Sequence, residues 1–146
     1  MRKNALIRDR RGYSTLFWAM FLSMVLIPLM AFTLELGRFF YARQAITNAA
    51  DSAALAAATE IDRNLYQSDG AVALTPSVYS WARQAALSSS GTLDKAGVNP
   101  SVGAISVNGT TVSVVVSANL DLLFPSIVPD ITITKFGTAQ VRMLKN

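Results

Sequence analysis

Covalent catalysis and proton transfer need side chains that this chain does not have. None of its 146 residues is His or Cys, so the commonest general base and zinc ligand are missing, as is every thiol reaction. The sequence offers no glycine-rich phosphate loop and no metal-ligand spacing, and its outer acidic residues are scattered through connectors and helix ends. Ser and Lys are present, but nothing marks a nucleophile. No catalytic residue, metal site, cofactor or small-molecule substrate is therefore expected. Asn108-Gly109-Thr110 is formally a glycosylation acceptor, but its hairpin-turn pattern argues against that use. The charge chemistry that remains is ion pairing, with Glu35 and Arg38 one helical turn apart.

The elements that must carry these residues begin with charge. Of 13 Lys and Arg, five (Arg2, Lys3, Arg8, Arg10 and Arg11) lie in the first 11 residues against Asp9, whereas residues 12–146 hold eight basic and eight acidic groups. The net charge of +4 thus sits in the tail. Directly behind it, residues 13–34 contain no charge at all. A bilayer core takes roughly 20 apolar residues of helix to cross, and a basic flank stays in the cytoplasm. The tail is explained as a topology signal, so nucleic acid is not an expected partner although the pI is near 9.8. The lipid bilayer is.

The apolar run is longer than the roughly 7–15 residues of a cleaved export signal, and no small-residue cleavage site follows it. Arg10-Arg11 before an apolar helix has a twin-arginine flavour that any positive-inside anchor shares. Arg11-Gly12-Tyr13 resembles the leader junction of type IV prepilins, where a basic leader ends in Gly and an aromatic residue follows. That makes Gly12 and Tyr13 candidate processing residues. The fifth residue after Gly12 is Phe17 and not the Glu of those prepilins, so an intact amino terminus is expected.

Beyond the membrane the helix should continue. Residues 35–60 contain no Pro and one Gly, and they end in strong helix formers. A continuous helix over residues 13–60 would be about 72 Å long, more than twice the bilayer core. Ala45, Ala49, Ala53 and Ala57 repeat every four residues, giving a stripe on which another backbone could lie close. The competing explanation is that Ala is simply the best helix former. Asp51 and Ser52 interrupt the block and favour a contacted face. Glu35, Arg38 and Arg43, beside Phe39, Phe40 and Tyr41, suit the interfacial zone.

This segment carries a family resemblance. It is similar to the amino-terminal part of TadE/TadG-type proteins of Tad (tight adherence, Flp) pilus assembly. In that family an acidic residue, Gly and Arg close the membrane helix, Tyr and Gln follow, and an Ala block ends it. The matching positions here are Glu35, Gly37, Arg38, Tyr41, Gln44, Ala50, Asp51 and Ala53 to Ala58. Glu35 stands where Asp is more usual, and Ser52 where Ala is typical. The resemblance implies a pilin-like protein with pilus subunits and assembly machinery as partners, self-associating or hetero-oligomeric. Together with the Ala spacing, this makes Glu35, Gly37, Arg38, Ala49, Asp51, Ala53 and Ala57 the residues expected in helix packing or assembly.

Residues 61–146 read as a small α+β domain. Residues 61–75 form a connector; a helix follows with Thr75 as N-cap, Pro76 at its first position, and Trp81 as core anchor or, alternatively, at the membrane surface. Asn108-Gly109 is a two-residue hairpin signal, pairing Val107 with Thr110 and Ile105 with Val112. A last strand over residues 131–143 should break its alternation at a bulge near Gly137. Leu120, Leu122, Leu123, Phe124, Ile127 and Val128 make an apolar loop before it.

The expectation is an α+β protein whose long amino-terminal transmembrane-plus-stalk helix packs on a small antiparallel β-sheet. Residues 1–12 form a basic cytoplasmic tail or leader, 13–34 the transmembrane helix, 35–60 the stalk and 61–146 an extracytoplasmic domain. The function expected is a single-pass, bacterial inner-membrane component of pilus assembly. The alternatives are a filament-forming pilin subunit after leader cleavage, and a membrane-tethered binding or sensor domain, which needs a pocket that the sequence does not display.

Overall fold

The computed structural model describes residues 10–90, 98–121 and 131–142, residues 10–12 by their backbone alone. The elements are α1 (Arg10–Thr59), α2 (Arg63–Asp69), α3 (Val78–Ser89), β1 (Ser101–Asn108), β2 (Thr111–Leu120) and β3 (Ile131–Gln140). The chain divides into two compact units, Met1–Arg38 and Phe39–Asn146, which α1 joins without a break. The layout is α+β, with the long helix packed on an antiparallel sheet, as the sequence led us to expect.

In the first unit Pro28 lies inside α1, where its ring removes one backbone hydrogen bond without ending the helix. Ser23 Oγ donates to the Ala19 carbonyl at 2.8 Å, and Thr33 Oγ1 to the Leu29 carbonyl at 2.8 Å. Both hydroxyls are thereby satisfied on their own helix, as an apolar surrounding requires. Residues 13–30 are exposed throughout.

The second unit is built on a sheet of order β1-β2-β3. On central β2, Val112, Val114 and Val116 are fully buried, each contributing about 1.5–3 kcal/mol relative to exposure. Against them lies the Ala-rich part of α1, with Ala42, Ile46, Ala50 and Ala54 on one row and Ala45, Ala49, Ala53 and Ala57 on the next, all buried in one core with Val78, Ala82 and Ala86 of α3. α3 lies against β1.

Helix and sheet approach closely at Gly137. A Cβ built there would fall 2.0 Å from the Ala50 carbonyl oxygen and 2.9 Å from the Asp51 nitrogen. Gly137 is therefore no bulge. The β2/β3 register runs unbroken from Thr111↔Gln140 to Leu120↔Ile131, and Lys135 and Gly137 both fall on the helix side while Phe136 faces out, 69% exposed. The irregularity lies instead in β1, between Val102↔Val116 and Ile105↔Val114. The extra residue there lets Val102 and Ile105, an odd number of residues apart, both turn inward.

Other expectations are corrected in detail. The hairpin pairs Val107 with Val112 and Asn108 with Thr111, so the loop is Gly109-Thr110, with Gly109 at φ 59. Gly at the first loop position is the type II′ preference. The register moves by two residues, which preserves the faces. Residues 61–75 are more than a connector: Asp62 Oδ1 accepts from the Asn64 and Leu65 backbone nitrogens, and Gly70, at φ 70, closes α2. Thr75 does not cap α3, which begins at Val78 after Ser77. Its hydroxyl donates to the Glu60 carbonyl at 3.1 Å, and Ser77 Oγ donates to Glu60 Oε2 at 3.1 Å. Trp81 is 50% exposed; the helix presents Val78, Ala82 and Ala86 inward instead. Met143 and most of the apolar loop, from Leu122 to Val128, lie outside the described residues; Leu120 ends β2 and is buried.

The Gly137 contact makes a direct prediction. Gly137→Ala should cost about 3 kcal/mol or prevent folding, because the clash is with helix backbone. Gly103→Ala, whose Cβ would meet Val115 at an ordinary 3.5 Å, should stay within about 1 kcal/mol. Urea unfolding of both full-length variants in lipid nanodiscs checks this, and equally mild effects would rule out the close approach.

Candidate functional site

The candidate site is the surface of α1. Its first turn holds the Gly12–Tyr13 bond, with Tyr13 exposed. Farther along the first unit, Glu35 Oε2 and Arg38 Nη1 are 3.8 Å apart at i, i+3, an ion pair at the loose end of contact distance. Gly37 lies between them in sequence, and a Cβ added there would meet nothing within 4 Å. The chain's own packing does not require glycine at that position.

In the second unit α1 has two faces of different chemistry. Ala49, Ala53 and Ala57 are fully buried, and their methyl groups leave room for strand backbone to come near. The other side carries Tyr41, Gln44, Asn48, Asp51 and Leu55, at alternating spacings of three and four, which keeps them on one stripe. All five are exposed, Tyr41 at 52% and Leu55 at 65%. Gln44 Nε2 donates to Asn48 Oδ1 at 3.1 Å along this stripe. Asp51, expected among the packing residues, thus sits opposite Ala49, Ala53 and Ala57.

These faces correspond to a known sequence pattern. Residues 12–60 match the Tad family model, described as "Putative Flp pilus-assembly TadE/G-like". Residues 12–60 form a TadE/G-like segment. The chain matches no curated protein and no solved structure. The TadE/G-like segment coincides closely with α1 and ends one residue after it.

Within the segment the residues serve different ends. The Ala block supports the fold of the second unit, whereas Asp51 and Leu55 do not enter its core. Gly137 completes the Ala contact and was missed as a packing residue, although an isolated strand glycine signals either a bulge or a close backbone approach. Among the described residues no group of three or more acidic, His or Cys side chains could hold a metal ion. What the arrangement can do is present a mixed polar and apolar helix stripe to another surface.

The two faces should respond differently to substitution. Ala53→Leu inserts bulk into the helix–sheet contact and should cost about 1–3 kcal/mol. Leu55→Ala, on the exposed stripe, should change stability by no more than about 0.5 kcal/mol. Denaturant midpoints of the two full-length variants test the contrast; a similar loss at both positions would contradict it.

Proposed function

We propose that this protein is a single-pass component of a Tad-type pilus-assembly system in the bacterial inner membrane. Residues 1–12 stay in the cytoplasm and residues 61–146 stand outside. The stripe of α1 from Tyr41 to Leu55 docks on a neighbouring pilus or assembly subunit. The observation that carries this reading is the division of the TadE/G-like segment: its alanines are consumed by the fold, while Asn48, Asp51 and Leu55 remain on the surface. Exposed apolar residues 13–30 and the basic tail support the membrane orientation.

The role is structural and not catalytic. A partner helix laid on the stripe would bury Leu55 and meet Asp51 at the same time, so a basic or hydrogen-bonding group on the partner fits it. Glu35, Gly37 and Arg38 lie nearer the spanning helix, where a neighbour could approach Gly37 closely. If Gly12–Tyr13 is cut, residues 13–34 would instead be free to enter a filament shaft, the arrangement of a main pilin subunit.

Two measurements test this proposal. An alkaline phosphatase fused after Asn146 should be active and a fluorescent protein there dark; the reverse pattern would overturn the orientation. Asp51→Lys and Leu55→Ala should accumulate in the membrane at normal levels yet fail to restore surface filaments to a deletion strain, as counted by electron microscopy. Full piliation in both variants would remove the stripe from assembly. Mass spectrometry of filaments showing a chain that begins at Tyr13 would favour the shaft-subunit role.

A further inference from the structure

The exposed stripe of α1 in the second unit alternates strictly in spacing. Tyr41, Gln44, Asn48, Asp51 and Leu55 follow the a/d alternation of a seam on which one helix meets another, with Tyr41, Asn48 and Leu55 at a and Gln44 and Asp51 at d. Ile46 and Ala53, opposite the seam at f, are fully buried in the core of the unit. The core therefore lies behind the seam. The flanking e and g positions are Ala45, Thr47, Ser52 and Ala54, and side chains this small let a second helix come to about 8–10 Å.

A coiled coil in water would place Leu, Ile or Val along most of such a seam. Here it is largely polar, so the occupant is decided by which group can face which. Across a two-fold axis each residue meets its own kind, and such an interface needs side chains that complement themselves. A carboxamide does, because it carries a donor and an acceptor together, and an apolar leucine does as well. A stripe made for an unrelated partner is under no such rule, yet Gln44, Asn48 and Leu55 all satisfy it. Asn at an a position is also the residue that sets register in parallel two-stranded pairs.

The seam is partly prepared for this. Gln44 Nε2 donates to Asn48 Oδ1 at 3.1 Å within one helix, which restrains both amides before they pair and leaves the Asn48 NH₂ group to donate across. Copies of one chain in one bilayer share an orientation, so their helices meet parallel, as the seam requires. Residues 41–55 make a contact only about 22 Å long, and confinement to a membrane supplies the effective concentration that so short a contact needs.

Asp51 is the exception to self-complementarity. In a parallel pair its side chain enters a hole formed by Asn48, Asp51, Ser52 and Leu55 of the facing helix. Asn48 and Ser52 offer donors to the carboxylate, but the opposing carboxylate repels it. That layer weakens the pair without forbidding it.

We propose that two copies of this chain pair through the stripe as a parallel, two-fold helix dimer in the membrane, Asn48 against Asn48, with the Asp51 layer keeping the pair dissociable. This rests on the reading of the stripe as a docking surface and names its occupant.

Because the chain has no Cys, single cysteines report the contact without background. In membranes of expressing cells, full-length Gln44→Cys and Asp51→Cys should form disulfide-linked dimers under mild oxidation, whereas Arg43→Cys and Thr138→Cys, exposed but off the seam, should not. With Gln44→Cys as reporter, Asp51→Asn should raise the crosslinked fraction by about threefold or more, the factor for removing like charges about 6 Å apart in water. Asp51→Lys alone should not raise it, but mixing Asp51 chains with differently tagged Asp51→Lys chains should, in mixed pairs. Crosslinking absent at both seam positions, equal at Arg43→Cys, or unimproved by mixing would overturn the proposal. Loss of piliation in Asp51→Lys without any seam crosslink would give the stripe to a different subunit, overturning self-pairing while the docking reading stands. Seam crosslinks together with full piliation in Asp51→Lys would uphold self-pairing and remove the assembly role.

Discussion

The second unit depends on a helix lying so close to a strand that no side-chain atom fits between them. The main chain at Ala50 and Asp51 touches the position where Gly137 would carry a Cβ. Such proximity is possible only if the helix face is built of methyl groups and the strand contributes none at the contact. It explains why the core has few large side chains: Ile46, Leu120 and the valines of β2 supply the bulk around a shallow seam of alanine. With no disulfide available to the chain, cohesion comes from this packing and from the sheet.

The same requirement divides the TadE/G-like segment. An alanine face cannot vary in volume without forcing helix and strand apart, so its composition follows from the chain's own fold. The opposite stripe, a mixture of Gln, Asn, Asp and Leu, is exposed and under no such demand. Two kinds of constraint are thus interleaved along one helix, three to four residues apart.

Much of the architecture could be read in the sequence because period and charge state it directly. The uncharged stretch with its basic flank, the unbroken helix and the alternating strands each leave a repeated signal. Register was harder. Asn108-Gly109 has the right residues for a loop, but Gly109-Thr110 lengthens the ladder of valines against the core, and only packing distinguishes the two because both keep the same faces inward. Gly137 was ambiguous for a related reason: a strand glycine can signal extra length or lost bulk, and only the neighbouring helix decides. Trp81 misled because size suggests burial, while a helix set against β1 accommodates Ala82 and Ala86 better. The two faces of α1 were visible as spacing, but which one the fold consumes was not.

Glu60 holds both ends of the stretch that contains α2. Its carbonyl accepts from the Thr75 backbone and hydroxyl, its carboxylate accepts from Ser77, and Ile61 bridges Leu74 beside it. The base of that loop is fixed independently of what lies along it. Since closing a longer loop costs only slowly more entropy, this is where the chain can gain or lose residues through evolution with the seam of alanine undisturbed, and where related chains can differ most in length while keeping the same helix and sheet.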